Sequence, residues 1–352
     1  MMAIQGRFCL FLLVSLLGVS LPLTAAEDPR RLSILNWADY LDPDLVTEFE
    51  SRYNAKITEV YFDSDQERTQ MLADSDGAGY DLILTAGVDL ASYARKGWLA
   101  PLDQQAIPNL KHLAPIWRKA FEQAQTHAVP YFWGTVGIIY RSDLIKQPIT
   151  GWKQLYQPAP ELQGRIGMIN DSRDLLGMAL KSLGHPLNSG DKKHLSEVEK
   201  LLLDLQPHVR SYQYLMLDES SEIISGDIWA SMIYSGDALM VQEHDENLVY
   251  VVPEEGSNIW VDYFSVGGKA KQPALAHQFL NFINEPQNAA RMAQYVYYAT
   301  PNLAAEQFLP AEFLEDPIIY PGTETLERSE FHQHLAPRVL RRRNAISAQI
   351  LL

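Results

Sequence analysis

The chain has 352 residues, 47% of them hydrophobic and 21% charged, and its formal net charge is −15 at pH 7. A chain of this length has room for two hydrophobic cores, because single cores stop growing at roughly 250–300 residues. The negative charge disfavours nucleic acid and anionic membranes as partners, and it draws cations toward any acidic cleft.

The N-terminal segment has the pattern of a secretory signal peptide. Arg7 precedes an apolar run at residues 8–21, and small residues lead up to Ala26. Signal peptides typically begin with a basic residue, continue with an apolar run too short to span a membrane, and end with a small residue before the cleavage site. We therefore expect cleavage of residues 1–26 and a mature protein in the periplasm. The single cysteine, Cys9, lies inside this segment, so the mature chain would contain no disulfide bond.

Strand and helix patterns alternate after the signal peptide. Strands are predicted at residues 32–35, 56–62 and 80–85, and helices at residues 43–53, 65–74 and 88–96. This alternation predicts a parallel sheet covered by helices on both faces. The extended, aromatic and β-branched stretch at residues 128–141 is expected to cross from a first lobe to a second.

The second half of the chain repeats the alternation. Strands are predicted at residues 165–169, 229–234 and 248–252, and helices at residues 175–183, 192–205, 218–225 and from 235 onward. Residues 258–266 are expected to cross back, helices follow at residues 273–284 and 286–297, and the basic run 338–343 is interpreted as a solvated helix face.

The predicted fold class is therefore α/β, with two lobes joined by several crossings and a cleft between them. Lobe one is assigned residues 27–134 and 262–299, and lobe two residues 135–261 and 300–352. Folds of this kind close on a ligand by bending at a hinge.

Four acidic clusters follow strands or lie at the crossings; three of them pair an acid with an aromatic residue, and the fourth supplies two acids. They are Trp37, Asp39 and Tyr40; Asp171 and Asp174; Tyr234 and Asp237; and Trp260 and Asp262. Ligand pockets of open α/β sheets form at the carboxyl ends of strands. Aromatic faces beside carboxylates suit an organic cation, so the clusters predict a cleft for a cationic solute.

Each cluster also has a purely structural interpretation. Asp171, Asp174 and Asp237 stand where helices begin, and an acid there is a common N-cap. Trp260 and Asp262 face the same side of an extended segment, but Trp260 could pack in the hinge core while Asp262 caps a neighbour. An aromatic residue after a strand is often only part of the core.

Two other classes of function find weaker support. Tyr297 and Tyr298 form an adjacent pair of the kind that binds iron in ferric-ion binding proteins, but the nine histidines are dispersed without metal-ligand spacing. Paired acids also serve glycosidase-type hydrolases, but the chain lacks a Gly-rich phosphate loop and a Gly-x-Ser-x-Gly motif. We therefore expect no catalysis, no metal and no other cofactor.

Taken in order, the motifs resemble those of the periplasmic spermidine/putrescine-binding proteins of bacterial ABC importers. The likeness covers essentially the whole mature chain and rests on six segments: NWADY at 36–40, YDLI at 80–83, PYFWG at 130–134, DSRD at 171–174, WVD at 260–262 and TPNLAA at 300–305. It implies a type II two-lobe fold, a polyamine gripped in the cleft, an inner-membrane ABC permease as partner and a monomeric state.

The resemblance also implies a set of ligand-binding residues. They are Trp37, Asp39, Tyr40, Asp171, Asp174, Tyr234, Asp237, Trp260, Asp262 and Tyr298. The aromatic members would form walls along the methylene spacers, with Tyr234 at the position of a family Trp. The acids would receive the ammonium groups, Asp171 and Asp174 at a terminal one.

The chain departs from the family pattern at several cleft positions. Thr85 and Ala86 stand where the family has Pro-Ser, Val88 replaces an aromatic residue, and Asp174 is one methylene shorter than the usual Glu. A pocket Gln carried by the tail of spermidine binders aligns near His332. These changes leave the preferred polyamine open, and they also fit a member that reports polyamines to a membrane sensor instead of feeding a permease.

Overall fold

The computed structural model describes residues 28–351. The predicted signal peptide, residues 1–26, therefore lies outside the described residues. Between residues 28 and 351, no helix is both long enough and apolar enough to cross a membrane.

Strands in the described chain are numbered in chain order. They are β1 Arg30–Asn36, β2 Ala55–Tyr61, β3 Leu82–Ala86, β4 Val129–Arg141, β5 Ile166–Gly167, β6 Val209–Ser211, β7 Ala230–Tyr234, β8 Leu248–Val251 and β9 Ile259–Val266.

The α-helices are α1 Pro43–Tyr53, α2 Asp65–Asp74, α3 Leu90–Arg95, α4 Pro115–Lys119, α5 Ala124–His127, α6 Trp152–Tyr156, α7 Ser172–Ser182, α8 Lys192–Leu205, α9 Glu222–Ser225, α10 Ser235–Gln242, α11 Pro273–Ile283, α12 Pro286–Val296, α13 Ala311–Glu315, α14 Thr323–Arg328 and α15 Pro337–Leu351. Short 3-10 helices lie at Gly87–Asp89, Gln104–Ala106, Pro108–His112, Pro160–Leu162, Gln206–His208 and Leu303–Phe308.

The strands form one path in the order β2-β1-β3-β9-β4-β7-β5-β6, and β8 pairs with β4. The first part is mixed: β1 runs parallel to β2 and β3, whereas β9 is antiparallel to both β3 and β4. The predicted parallel sheet is therefore correct for β1–β3, and the crossing strand β9 adds an antiparallel member. The α/β class is confirmed.

Strand β4 joins the two lobes. It pairs with β9 up to Thr135, with β7 from Val136 and with β8 from Ile138, so its pairing changes one residue beyond the predicted lobe boundary at residue 134. On the return, β9 already pairs with β4 at Ile259, three residues before the predicted boundary at residue 262. Aromatic and β-branched residues suit this strand because it is buried along almost its whole length.

Two main hydrophobic cores lie on either side of this strand. One contains residues of β1–β3, β9, α11 and α12, and the other residues of α6–α8 and β7. The C-terminal tail, residues 300–352, contributes to both cores. Phe313 and Ile319 pack in the first core, and Ile346 and Ile350 pack in the second. Within the range 300–352 assigned to lobe two, Phe313 and Ile319 thus pack in the first core, whereas Ile318 packs against a smaller cluster with residues of β7, β8 and α10.

The basic run on α15 also differs from its interpretation as a solvated face. Arg338, Arg341 and Arg342 are exposed, but Arg343 is only 4% exposed and donates a hydrogen bond to the carbonyl oxygen of Leu187. Burial lowers the pKa of Arg343 to about 10. It turns inward because it lies on the helix face that also carries Ile346 and Ile350.

Candidate functional site

An aromatic wall lines the junction between the lobes. The ring of Trp260 meets the ring of Tyr298 edge-on at 4.7 Å and that of Tyr234 at 6.1 Å, and Tyr40 lies 6.2 Å from Tyr298. Trp260 fits against β4 because its register partner is Gly134, where a Cβ would come within 2.6 Å of the indole. The structure thus brings together four of the aromatic residues expected in the site.

Asp262 lies on β9 beside this wall. Its carboxylate accepts a hydrogen bond from the Tyr40 hydroxyl at 3.3 Å. Its cross-strand neighbour on β3 is Ala86, which has no hydroxyl to offer. Burial, together with the charge of Asp65, raises the pKa of Asp262 to about 7.

Asp237 lies in the first turn of α10, where the polypeptide leaves β7. Its carboxylate accepts hydrogen bonds from the Tyr298 hydroxyl at 2.5 Å and from the Tyr214 hydroxyl. Burial raises the pKa of Asp237, and the two hydrogen bonds only partly offset that effect. Tyr214 is absent from the predicted site, because it lies outside any of the motifs.

Asp171 is the N-cap of α7. Its Oδ1 accepts hydrogen bonds from the backbone N–H groups of Arg173 and Asp174 at 2.8 and 2.9 Å, so the capping interpretation is correct for this residue. Burial and the neighbouring Asp174 raise the pKa of Asp171 to about 6. Both of its hydrogen bonds from residues 28–351 reach Oδ1, which leaves Oδ2 for a ligand.

Asp174 is buried and surrounded by protein donors. Its Oδ1 accepts from the Asn258 side-chain amide at 3.0 Å and lies 2.7 Å from Nε2 of His332, and its Oδ2 accepts from the Tyr234 hydroxyl at 3.1 Å. Asp174 therefore orients three neighbouring side chains. The role implied by the resemblance, receiving a ligand ammonium, stays a prediction for this residue.

A network of arginines and acids bridges the lobes and was missed by the sequence reasoning. Arg173 at the start of α7 forms salt bridges with Asp65 at 2.9 Å and Asp89 at 2.6 Å, both from the first lobe. The fully buried Arg68 forms salt bridges with the same two acids, at 2.7 Å to Asp65 and 2.9 Å to Asp89. Burial alone would raise the pKa of Asp65, but Arg68 and Arg173 hold it below its ordinary value.

The first predicted cluster divides in the structure. Trp37 is half-buried and packs on Phe62 with ring centroids 4.3 Å apart. Asp39 is exposed, has a left-handed backbone with φ of 54°, and places its charge near Tyr61 and Tyr295. The structure does not bring Asp39 to the other acids of the predicted site, whereas Tyr40 of the same loop reaches the junction and donates to Asp262.

The adjacent tyrosines do not form a phenolate pair. Tyr298 donates to Asp237 and Tyr297 donates to Glu243. Burial and the charge of Asp237 raise the pKa of Tyr298 well above its ordinary value, so its phenol keeps its proton. Across residues 28–351, no group of three or more His, Cys, Asp or Glu side chains is placed to hold a metal ion.

Asp171, Asp237 and Asp262 share two properties that give the site its chemistry. Each has a raised pKa, and each receives hydrogen bonds from hydroxyl or backbone groups instead of a salt bridge from a side chain of the described part. Buried carboxylates beside aromatic faces attract cations that have apolar segments. The cleft is therefore arranged to bind an organic cation with more than one charge.

Comparison with known proteins places the chain in a family. The model of the bacterial extracellular solute-binding protein family matches residues 44–321. The norspermidine sensor of Vibrio cholerae is 30% identical over 91% of this chain and 88% of its own, and the spermidine/putrescine-binding periplasmic protein of Escherichia coli is 26% identical over 90% of each.

A solved structure gives the same result. The spermidine/putrescine ABC transporter substrate-binding protein of Streptococcus pneumoniae superposes with a TM-score of 0.79 and 30% identity, over 92% of this chain and 98% of that one. The two-lobe fold expected from the sequence is thereby confirmed. This chain belongs to the bacterial extracellular solute-binding protein family.

Proposed function

We propose that this protein captures a polyamine of the putrescine/spermidine class between its lobes and delivers it to an inner-membrane ABC importer, without catalysis. The observation that carries the proposal is the set of three partly buried acids, Asp171, Asp237 and Asp262, none of which forms a salt bridge with a side chain of residues 28–351. The names of the relatives from Escherichia coli and Streptococcus pneumoniae support the same ligand class. We further propose a periplasmic location after removal of the signal peptide.

The binding mechanism follows from the cost of buried charge. An ionised carboxylate in a dry cleft is costly until a cation pairs with it. A polyamine supplies ammonium groups to Asp262, Asp237 and the free Oδ2 of Asp171, while its methylene groups lie against Trp260 and Tyr298. Closure of the lobes buries these contacts. The length of the polyamine then determines how many of the acids are paired with an ammonium group, and this selects among polyamines.

Titration calorimetry of the mature chain, stripped of ligand by unfolding and refolding, tests this function. The titrants are putrescine, cadaverine, spermidine, norspermidine and spermine, with ferric citrate as the comparison. We expect saturable one-to-one binding of at least one polyamine. A folded protein that binds none of the five would refute the proposal, and a coloured iron complex would favour the ferric alternative.

A second candidate function is signalling to a membrane-bound receptor. It is favoured by the 30% identity to a norspermidine sensor over 91% of this chain. Deleting the coding sequence and measuring uptake of radiolabelled polyamine would separate the two. Reduced uptake supports delivery to a permease, whereas unchanged uptake with a changed response to added polyamine supports signalling.

A further inference from the structure

The adjacent tyrosines that follow α12 reach the two ends of one helix of the second lobe. Tyr298 donates to Asp237 in the first turn of α10 at 2.5 Å, and Tyr297 donates to Glu243, the residue directly after the last turn of α10. Six positions of an α-helix span about 9 Å, so the two contacts lie well apart along α10. The pair therefore attaches the end of α12 to α10 at two points.

Both contacts cross the junction between the lobes. Met292 and Val296 of α12 pack in the first core, whereas Ala238 and Val241 of α10 pack in a smaller cluster with residues of β7 and β8. The two helices thus belong to different lobes, and a hinge motion that opens the cleft separates them. A hydrogen bond between them can therefore form only while the lobes are closed.

The backbone at Tyr297 is unusual for a residue with a large side chain. Tyr297 is the C-cap of α12 and lies in the left-handed region, with φ of 58° and ψ of 26°. Glycine is the usual residue at such a helix end, because it adopts this conformation without steric cost. A glycine would carry no hydroxyl group, so the strained tyrosine supplies both the turn and a donor for Glu243.

The two contacts differ in where they lie. Tyr298 is buried beside Trp260, whereas Glu243 is exposed and Tyr297 is half-buried, so the contact between Tyr297 and Glu243 lies at the rim of the junction. The hydrogen bond to Glu243, together with burial, raises the pKa of Tyr297, so its phenol keeps its proton and donates at neutral pH. The rim contact is thus separate from the acids that would pair with the proposed ligand.

We propose that the contact between Tyr297 and Glu243 holds the lobes closed over the bound ligand without touching the ligand itself. An interaction that is made only in the closed state shifts the equilibrium toward that state, so the contact slows the release of the ligand. It acts equally on every ligand that permits closure, because neither residue distinguishes one polyamine from another. The inference rests on the proposed polyamine function and assigns the tyrosine pair a role in closure.

Stopped-flow dissociation of putrescine and of spermidine tests the proposal with Tyr297→Phe, Glu243→Ala and the double variant. Each single change breaks the same hydrogen bond, so we expect all three variants to release both polyamines about threefold faster than the unmodified protein. Equal rates in the single and double variants would show that the two residues act through one contact. The association rates and the ratio of the two affinities should stay unchanged, because neither residue contacts the ligand.

Tyr295→Phe is the matched control, because Tyr295 lies on the same helix and is 37% exposed, and this variant should release both polyamines at the unmodified rates. Thermal unfolding checks that each variant is folded. Unmodified release rates in a folded Tyr297→Phe variant would overturn the inference while leaving polyamine binding intact. A changed rate for only one polyamine would also overturn it, since Tyr297 would then contact the ligand. If the unmodified protein binds neither polyamine, the proposed function itself is refuted and this inference falls with it.

Discussion

Two sets of acids lie at the junction between the lobes, and they differ in what neutralises their charge. Asp65 and Asp89 lie between Arg68 and Arg173, each with a salt bridge on both sides. Within the described part of the chain, Asp171, Asp237 and Asp262 receive hydroxyl or backbone hydrogen bonds and form no salt bridge. The first set is complete within the protein, whereas the second set needs a cation from outside.

The pKa of Asp65 shifts in the opposite direction to the pKa values of Asp171 and Asp262. The pKa of Asp65 lies below its ordinary value because two arginines outweigh its burial. The pKa values of Asp171 and Asp262 rise to about 6 and about 7, chiefly by burial. Burial is thus common to both sets, and the presence of a guanidinium decides whether an acid serves the fold or the ligand.

The largest expected effect comes from breaking the first set. Asp65→Asn removes one acid from between Arg68 and Arg173, and Arg68 is fully buried, so an uncompensated charge remains inside the protein. We expect the free energy of unfolding to fall by about 3 kcal/mol. Urea unfolding of the ligand-free protein measures this. A variant as stable as the unmodified chain would show that Asp89 alone neutralises both arginines.

Removing an acid of the second set should weaken ligand binding and should stabilise the ligand-free protein instead of destabilising it. Asp262→Asn removes a carboxylate that we expect to pair with an ammonium group of the ligand. The affinity for polyamine should therefore fall at least tenfold, about 1.4 kcal/mol. Its raised pKa means that the folded state binds a proton more tightly than the unfolded state does. The ligand-free protein therefore loses stability as the pH rises from about 4 to about 7.

It follows that Asp262→Asn should stabilise the ligand-free protein at pH 8, by on the order of 2 kcal/mol, while it weakens binding. Calorimetry and urea unfolding at pH 5 and pH 8 measure the two effects. Unchanged affinity would remove Asp262 from the site, and equal stabilisation at both pH values would mean that its ionisation is not the cause.

Arg173 connects the two sets, because it pairs with acids of the first lobe from a helix of the second. Arg173→Gln removes this contact between the lobes, so the closed state should open more readily and the ligand should leave about fivefold faster, roughly 1 kcal/mol. The arginine is partly exposed, so the effect should shrink in high salt. Stopped-flow dissociation measures the rate, and an unchanged rate at low salt would show that closure does not depend on this contact.

Local signals explain why much of the fold was predictable. Helices α1, α2 and α8 have the predicted bounds, since Asp42, Ser64 and Asp191 cap their first turns and their apolar residues follow a helical period. The strands other than β6 were also found, since β6 has only three residues, Val209–Ser211. The antiparallel course of β9 was not predicted, because the sequence of one strand does not show the direction of its partner.

The site was predictable only where its residues lie in recognisable motifs. Tyr40, Asp171, Tyr234, Asp237, Trp260 and Asp262 were named from the sequence, and the structure brings them to the junction. Asp65 and Arg173 are 108 positions apart, and no spacing rule connects them. The same holds for His332 and Asp174, which meet across 158 positions.

The smallest effect is expected at Asp39, the acid that the sequence placed in the site and the structure places at the surface. Its charge is exposed and lies in a left-handed turn, where water and salt screen it from the cleft. Asp39→Asn should therefore change polyamine affinity less than twofold in calorimetry, against at least tenfold for Asp262→Asn. A loss comparable to that of Asp262→Asn would mean that the loop turns inward when ligand binds, and that Asp39 then joins the acids that await a cation.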